Sequence, residues 1–233
     1  MLVLFDIDGT ILLTQGAGIK AMHDAGRELY GEHFSTDGID FSGRLDPWIW
    51  GELARINNVK DAEAQHETFR AGYRKHLTRR LAERNTAKLL PGVRELVEHL
   101  NGCGEAAIGL LTGNYPETGR LKIQHAGLDP DVFTVGAWGI DGKKRSDLPP
   151  VAMQRHHERT GHLLEGERVV IIGDTPHDVD CAKAHGCRVI GVATGWTKVD
   201  ELKKCGADVA VPTLEGLEEI VAWILKREGV ARS

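Results

Sequence analysis

The sequence predicts an α/β protein, a doubly wound parallel sheet interrupted after its first strand by an all-helical insertion. Three observations lead to this fold class. The chain opens with four apolar residues, Leu2 to Phe5, followed at once by acids and a glycine. From about residue 90 onward, short apolar runs alternate with helical patterns, as in β-α-β units. Between these two parts, residues 15–86 show helical periodicity only.

The first strand is predicted to be buried on both faces and to end in carboxyl groups. In open parallel sheets, ligands bind at the carboxyl ends of the strands. Asp6 and Asp8 are two positions apart, so both side chains point the same way while the chain stays extended. Gly9 permits the sharp turn that follows. Two acids are therefore expected to enter one pocket.

The insertion is predicted to contain an amphipathic helix ending at Tyr30, a short helix ending at Ile56 and a long charged helix over 61–84. The last helix carries apolar residues every four positions, a stripe suited to packing on another helix: Phe69, Tyr73, Leu77 and Leu81. The insertion leaves and re-enters next to the acidic edge. We therefore expect residues 15–86 to form a lid, and residues 1–14 with 87–233 to form a discontinuous core.

The remaining strands follow in order and alternate with helices. Strands are predicted over 107–111, 132–135, 169–172, 189–192 and 209–211, and helices over 93–100, 116–126, 150–160 and 214–227.

Polar residues follow three of these strands and should meet at one edge of the sheet. The first strand delivers Asp6 and Asp8, the second delivers Thr112, Gly113 and Asn114, and the fourth delivers Asp174 and Asp178. Converging carboxylates repel one another unless a cation lies between them, and an all-oxygen set of this kind suits Mg²⁺.

Phosphate-binding groups and a cation complete this set. The hydroxyl and backbone N–H groups around Thr112 suit phosphate oxygens, and Lys143, Lys144 and Arg145 can bring positive charge to the same edge. A metal, phosphate donors, a cation and a spare carboxylate together indicate phosphoryl transfer.

Simpler interpretations exist for some of these residues. Thr175, Pro176 and Asp178 fit a capping box, so Asp178 can close a helix N-terminus as well as support a metal. The pair His156 and His157 is expected on the surface of its helix.

At this point the chain resembles the haloacid dehalogenase superfamily of phosphotransferases, which share a Rossmann-like core. The similarity is greatest to the phosphoglycolate phosphatase and phosphoglucomutase-like branch with a helical cap. Two motifs carry it, Asp6 to Thr10 and Gly173 to Asp178, with support from Leu110 to Asn114. The resemblance covers nearly the whole chain.

The resemblance implies a role for each matched residue. Asp6 is expected to be the nucleophile that becomes an aspartyl-phosphate, and Asp8 the acid that protonates the leaving oxygen and later takes a proton from water. Thr112 binds the phosphoryl group. Asp6 and Asp174, with the main-chain carbonyl of Asp8, hold Mg²⁺, supported by Asp178. Further substrate contacts are expected from Gly9, Thr10, Gly113 and Asn114. The insertion residues near the Gly43 turn are expected to touch the leaving group, although the two tryptophans also suit the core of the insertion: Arg44, Asp46, Trp48 and Trp50.

The family's third motif is normally a lysine, and this chain departs from it in the run Lys143, Lys144, Arg145. By distance to the next helix, Arg145 aligns best and Lys144 second. An arginine can neutralise phosphate, although its planar fork does not reproduce the geometry of a lysine.

The expected function is a Mg²⁺-dependent phosphatase acting on a small phosphorylated metabolite, phosphoglycolate-like or a sugar phosphate. The presence of Asp8 and Thr10 favours phosphate esters over halide displacement. A sugar-phosphate mutase would keep the same core residues and stays an alternative. A phospho-acceptor signalling module is a more distant one, because receiver-type domains lack so long a helical insertion.

Composition narrows the partners and the compartment. The formal charge of -5 gives no indication of a nucleic-acid or membrane partner. The four cysteines lack metal-type spacing and are expected to be reduced thiols, and no signal or membrane-spanning pattern is present, so a cytoplasmic location is expected.

Overall fold

The computed structural model describes residues 1–83 and 86–226. Within these residues, six parallel strands form one sheet in the order β5-β4-β1-β6-β7-β8, and two short antiparallel strands, β2 and β3, form a separate ribbon. The strands are β1 (Leu2–Phe5), β2 (Leu12–Leu13), β3 (Lys88–Leu89), β4 (Ala107–Leu111), β5 (Val135–Ala137), β6 (Val169–Gly173), β7 (Arg188–Val192) and β8 (Val209–Val211). The predicted fold class is confirmed.

The register places the predicted site at the centre of the sheet. Leu2 of β1 pairs with Ala107 of β4 on one side and with Val169 of β6 on the other. The strand order reverses around β1, and ligands of open α/β sheets bind at such a switch point. The carboxyl ends of β1, β4 and β6 are therefore neighbours.

Burial of β1 on both faces follows from its continuous apolar sequence. Val3 and Phe5 pack into the cluster on one face of the sheet, and Leu2 and Leu4 into the cluster on the other. All four side chains are inaccessible to solvent. The central strand is thus held rigidly, and so are the residues that follow it.

Six α-helices accompany the sheet between residue 90 and residue 226, the last residue described. They are α4 (Val93–Cys103), α5 (Pro116–His125), α6 (Leu148–Thr160), α7 (Pro176–Lys183), α8 (Val199–Lys204) and α9 (Leu217–Ile224), numbered after the three helices of the insertion. The predicted last helix extended to Arg227, which lies outside the described residues.

The insertion is helical, as predicted, and has its own apolar cluster. Its helices are α1 (Ala17–Tyr30), α2 (Asp46–Ile56) and α3 (Ala62–Leu81). The predicted stripe on α3 is fully buried in that cluster, together with Tyr115 from the sheet side. The predicted end of α3 at Arg84 lies outside the described residues, and the division of the chain at residues 15 and 86 stays a prediction.

A salt bridge and a short β-ribbon are among the contacts that hold the insertion against the core. The guanidinium of Arg70 on α3 donates to both carboxylate oxygens of Glu117 on α5, at 2.6 and 2.8 Å. The ribbon of β2 and β3 pairs the chain entering the insertion with the chain leaving it. Both ends of the insertion are thereby anchored beside the sheet.

Two local predictions were wrong. The third strand was expected over 132–135, but a 3-10 helix occupies Pro130–Val132 because Asp129 caps it and proline starts it, so β5 begins at Val135. His156 was expected on the surface, but it is buried because it lies four residues after Ala152 on the inward face of α6.

Two further findings concern the cysteines and the character of the helices. All four cysteines are free thiols, with Cys181 and Cys187 buried and Cys205 exposed. None of the helices in the described parts of the chain has the length and apolar character needed to cross a membrane.

Candidate active site

A cavity of about 590 Å³ lies between the helical insertion and the carboxyl edge of the sheet. Most of the predicted site residues line it. These are Asp6, Asp8, Gly9, Arg44, Thr112, Gly113, Asn114, Arg145 and Asp174. The structure therefore brings together side chains from three strand ends, one loop of the core and one loop of the insertion.

Three buried acids form the inner end of the cavity. Asp6, Asp174 and Asp178 each place a carboxylate oxygen within 4.8 Å of the others. Burial raises the pKa of Asp6 to about 6, with Arg145 opposing this shift. Burial also raises the pKa of Asp174 to about 8, and the charges of Asp178 and Asp6 add to that rise. Both pKa values are raised because the carboxyl groups are shielded from solvent and lie close to other acids.

This donor set fits a magnesium ion. Carboxylate oxygens are the ligands that Mg²⁺ prefers, and a divalent cation would neutralise the crowded charge. The backbone also leaves room around Asp174, because a Cβ atom on Gly9 would lie 2.4 Å from its Oδ2 atom and one on Gly195 only 1.8 Å away. Glycine is thus required at both positions for Asp174 to occupy the cluster.

Arg145 supplies the positive charge at this end. Its Nη2 atom lies 3.0 Å from Oδ1 of Asp6 and 2.5 Å from Oδ1 of Asp178. The side chain is 6% exposed, and Nη1 donates to the carbonyl of Gly43 in the insertion at 3.3 Å. Lys144, the second candidate, is exposed and does not line the cavity. Of the two predicted cations, the structure places only Arg145 among the acids.

Asp178 closes the predicted capping box and also pairs with Arg145, while its support of a metal stays a prediction. Its Oδ2 atom accepts the backbone N–H and the hydroxyl of Thr175, at 3.0 and 2.7 Å, and so completes the capping box of α7. Its Oδ1 atom accepts from Arg145. The helix cap therefore fixes the carboxylate that holds the arginine.

Asp8 belongs to a second polar cluster, at the mouth of the inner site. Its Oδ2 atom accepts from Nζ of Lys122 at 2.6 Å and from Nδ2 of Asn114 at 2.9 Å. Lys122 also donates to Oδ1 of Asn114 at 2.6 Å. The side chain of Asp8 remains 43% exposed, whereas that of Lys122 is 5% exposed. Asp8 is thus held in one orientation and still faces the cavity.

The sequence analysis missed Lys122. Its position on α5 was a usable signal, because it follows Thr118 by four residues and precedes Ile123, both of which are buried. A lysine on the inward face of a short helix requires a partner, because a buried ammonium is costly when it is unpaired.

Thr112 and Thr10 occupy different positions relative to the cavity. Oγ1 of Thr112 accepts from Nδ2 of Asn114 at 2.8 Å, which leaves its hydroxyl proton available to a ligand. Thr10 was predicted to contact substrate, but it does not line the cavity and its hydroxyl instead donates to Oδ1 of Asp174 at 3.2 Å. Thr10 therefore orients an acid of the cluster.

On the insertion side, the loop before α2 meets the loop after β4. The backbone N–H of Asp46 donates to the carbonyl of Gly113 at 2.7 Å, and a Cβ atom on Gly113 would lie 2.0 Å from the carbonyl oxygen of Arg44. Oδ2 of Asp46 accepts the backbone N–H of Tyr115 at 2.9 Å. Burial raises the pKa of Asp46 to about 7. This acid, one of the insertion residues expected near the leaving group, lines the cavity and links the insertion to the core.

The other predicted insertion residues divide between wall and interior. The guanidinium of Arg44 lies 4.7 Å from the centre of the Trp48 ring and 3.6 Å from a carboxylate oxygen of Asp40. Trp50 packs in the apolar cluster of the insertion, stacked on Phe69 with ring centres 4.3 Å apart. Arg44 therefore lines the cavity, while Trp50 stabilises the helices behind it.

A parallel α/β core with buried acids at the switch point and a helical insertion over them defines a doubly wound α/β protein with a candidate site at the carboxyl edge of its sheet. Comparison with known proteins identifies the family. A model of the haloacid dehalogenase-like hydrolase family matches residues 1–186, and the chain belongs to that family. The predicted enzyme class, a hydrolase of this family with phosphatases among its relatives, is confirmed.

Individual relatives are distant but extend over nearly the full chain. The phosphoglycolate phosphatase of Chromobacterium violaceum is 25% identical over 94% of this chain and 95% of its own length. The tyrosine-protein kinase PtkA of Mycobacterium tuberculosis is 24% identical over 94% of this chain and 71% of its own length. Two different activities are thus named among relatives of equal similarity.

The structural neighbours have the same fold. CbbY from Rhodobacter sphaeroides, solved with phosphate, matches with a TM-score of 0.72 at 18% identity, covering 93% of this chain and 95% of that one. The β-phosphoglucomutase of Clostridium difficile matches with a TM-score of 0.70 at 17% identity, covering 97% and 96%.

Proposed function

We propose that this chain is a Mg²⁺-dependent phosphatase that hydrolyses a small phosphate monoester through an aspartyl-phosphate on Asp6. One observation carries the proposal. The acids Asp6 and Asp174, at adjacent strand ends, meet the cation Arg145 from the loop before α6, and Asp8 and Thr112 face the same cavity. Phosphoryl transfer requires this combination of a nucleophile, charge neutralisation and a proton donor.

The first half-reaction transfers the phosphoryl group to the protein. A carboxylate oxygen of Asp6 attacks phosphorus, and the bond between phosphorus and the ester oxygen breaks. Asp8 donates its proton to the departing alcohol oxygen. Nη2 of Arg145 lies 3.0 Å from Oδ1 of Asp6 and keeps that carboxylate oriented. The hydroxyl of Thr112 donates to an equatorial phosphoryl oxygen.

The second half-reaction releases phosphate. Asp8, now a carboxylate, takes a proton from a water molecule that attacks phosphorus, and the bond between phosphorus and Asp6 breaks to regenerate the Asp6 carboxylate. Lys122 and Asn114 hold Asp8 in place through both steps. Magnesium, when bound by Asp6 and Asp174 with the main-chain carbonyl of Asp8 and the support of Asp178, would offset the charge on the transferring group.

The substrate is proposed to be a small phosphorylated molecule, with phosphoglycolate and sugar phosphates as the first compounds to test. Support comes from relatives named phosphoglycolate phosphatase and glycerol-1-phosphate phosphohydrolase. A cytoplasmic location, and the lack of nucleic-acid or membrane partners, stay predictions from the sequence.

Turnover of p-nitrophenyl phosphate tests this proposal. Steady hydrolysis that EDTA abolishes and Mg²⁺ restores is expected, and Asp6→Asn should remove it because an amide is a far weaker nucleophile. Asp200→Asn, which changes an exposed acid on α8, is the matched control and should retain activity. Full activity in Asp6→Asn, or after EDTA, would contradict the proposal.

A sugar-phosphate mutase is the second candidate, favoured by one observation. The loop of the insertion is hydrogen-bonded directly to the loop after β4, from Asp46 to Gly113, so the site can be shielded from water. Conversion of a hexose 1-phosphate to its 6-phosphate, primed by a bisphosphate, would establish a mutase. Release of inorganic phosphate without that conversion would support the phosphatase.

A further inference from the structure

The outer part of the cavity is apolar, in contrast to its inner end. The insertion contributes Ile19, Met22, Phe41 and Ile49 to its wall, and the core side contributes Leu13 and Trp196. At about 590 Å³ the cavity is of the size that holds drug-sized ligands, far more than the two-carbon alcohol of phosphoglycolate needs. The volume beyond the catalytic residues is therefore built for a further part of the substrate.

Several of these apolar side chains are exposed. Trp196 is 96% exposed, Leu13 44% and Ile19 40%. They are three of the seven large apolar side chains that are exposed in the described chain, and they come from three separate segments. Apolar groups exposed together at the mouth of a cavity indicate a ligand that covers them.

The cations of the cavity already have acidic partners. Among the described residues that line it, three are cationic: Arg145 pairs with Asp6, Lys122 with Asp8, and Arg44 with Asp40. The buried carboxyl of Asp46 lies in the same wall. A carboxylate on the leaving group would lose hydration beside Asp46 and would have to displace Asp8 or Asp6 from the two buried cations. Arg44, which is 38% exposed and has an Nε atom unpartnered among the described residues, offers it only a solvent-screened charge.

We propose that the preferred substrates are phosphate monoesters whose alcohol part is uncharged and carries an alkyl or aryl group that reaches Trp196. The inference rests on the proposed phosphatase function and narrows its substrate class. Trp196, Ile19 and Leu13 would cover the apolar group while the phosphate occupies the acidic end. Trp196 is then a residue that determines specificity without touching the reacting atoms.

Three esters with comparable leaving oxygens test the substrate class. 2-Phenylethyl phosphate, ethyl phosphate and 2-phosphoglycolate are all esters of primary alcohols, so differences in kcat/KM report recognition rather than leaving-group chemistry. We expect kcat/KM for 2-phenylethyl phosphate to exceed both others by about tenfold or more, since a single methylene in an apolar pocket contributes roughly tenfold. Equal or better turnover of 2-phosphoglycolate would overturn the inference.

Two exposed apolar residues are substituted, Trp196 as the test and Leu163 as the control. Trp196→Ala should lower the ratio of kcat/KM between 2-phenylethyl and ethyl phosphate by about tenfold, mainly through KM. Leu163→Ala removes a side chain that is 77% exposed but lies outside the cavity, and it should leave that ratio unchanged. The same ratio in Trp196→Ala and the wild type would contradict the proposed role.

Binding of unreactive phosphonates separates this inference from the proposed function. In calorimetric titrations with Mg²⁺ present, 2-phenylethylphosphonate should bind about tenfold more tightly than phosphonoacetate. If that preference holds while none of the three esters is hydrolysed, the phosphatase proposal fails and the binding inference stands. If the esters are hydrolysed but neither turnover nor binding shows the preference, the inference alone fails.

Discussion

The two sides of the cavity differ in chemistry and in how they are held. On the sheet side, Asp6 and Asp178 both pair with Arg145, and Asp8 pairs with Lys122, all at the ends of buried strands or on adjoining helices and loops. On the insertion side, the apolar side chains of Ile19, Met22, Phe41 and Ile49 form much of the wall, and the polar side chains there are those of Gln15, Ser42, Arg44, Asp46 and Tyr73. The sheet edge therefore provides paired charged groups, and the insertion provides much of the apolar surface of the cavity.

This difference assigns the phosphoryl-transfer reaction to the sheet side and the selection of the leaving group to the insertion side. Charged groups need rigid neighbours because a misplaced buried charge is costly, and the strand ends provide them. An apolar wall can vary in shape without leaving charges unpaired. The same core chemistry can therefore serve different leaving groups when the insertion changes, and the predictions below test the two sides separately.

The largest effect is expected on the sheet side, at Arg145. Arg145→Met removes the cation between Asp6 and Asp178, and kcat should fall on the order of 100-fold. Arg145→Lys should lose less, about tenfold, because one ammonium cannot reproduce the two-sided geometry of the guanidinium. The measurement is kcat with p-nitrophenyl phosphate, with circular dichroism to verify folding.

Lys144→Met is the matched control, since it removes the neighbouring cation that lies outside the cavity. It should keep kcat within about twofold. A larger loss in Lys144→Met than in Arg145→Met would show that the wrong cation has been placed in the site.

A smaller effect is expected at Lys122, which lies where the two sides meet. Lys122→Met leaves Asp8 without its cation and removes a partner of Asn114, so kcat should fall about tenfold. Lys20→Met, on the exposed face of α1, should have no such effect. Equal kcat in Lys122→Met and the wild type would show that Asp8 needs no positioning.

The smallest effect is expected on the insertion side, at Asp46. Its pKa of about 7 lies above that of an unfolded aspartate, because burial outweighs attraction to Lys122 and repulsion from Asp8 and Glu117 adds to the rise. Between these two pKa values, the folded state binds a proton that the unfolded chain has lost. The free energy of unfolding therefore falls as pH rises from about 4 to 7.

Asp46→Asn should remove that dependence and keep an acceptor for the Tyr115 N–H. At pH 8 the variant should be more stable than the wild type, by on the order of 1 kcal/mol, and near pH 4 the difference should vanish. Chemical denaturation at both pH values measures it. If the wild type had a lower free energy of unfolding at pH 5 than at pH 8, and Asp46→Asn removed that difference, the predicted direction of the pH dependence would be wrong.

The acids of the sheet edge could be predicted because their signals are local. Asp6, Asp8 and Asp174 directly follow apolar strands, and parallel strands bring their ends together. The ribbon of β2 and β3 could not be predicted in this way, since each strand has two residues and the pairing is fixed only when the insertion folds back.

The residues that were missed have signals spread through tertiary structure. Lys122 stands alone within a helix, and its importance comes from Asp8, a partner 114 positions away. The apolar outer wall was missed for the same reason. Trp196 and Ile19 meet across the cavity although nothing in their neighbouring sequence links them.

The most direct test of the central claim is to locate the phosphorylated residue. Enzyme quenched during turnover of p-nitrophenyl phosphate with Mg²⁺ can be treated with borohydride, which reduces an aspartyl-phosphate to homoserine, and peptide mass spectrometry then identifies the position. We expect the modification at Asp6 and nowhere else in the chain. Modification at Asp8 or another residue, or steady turnover with no trapped residue, would contradict a mechanism based on Asp6.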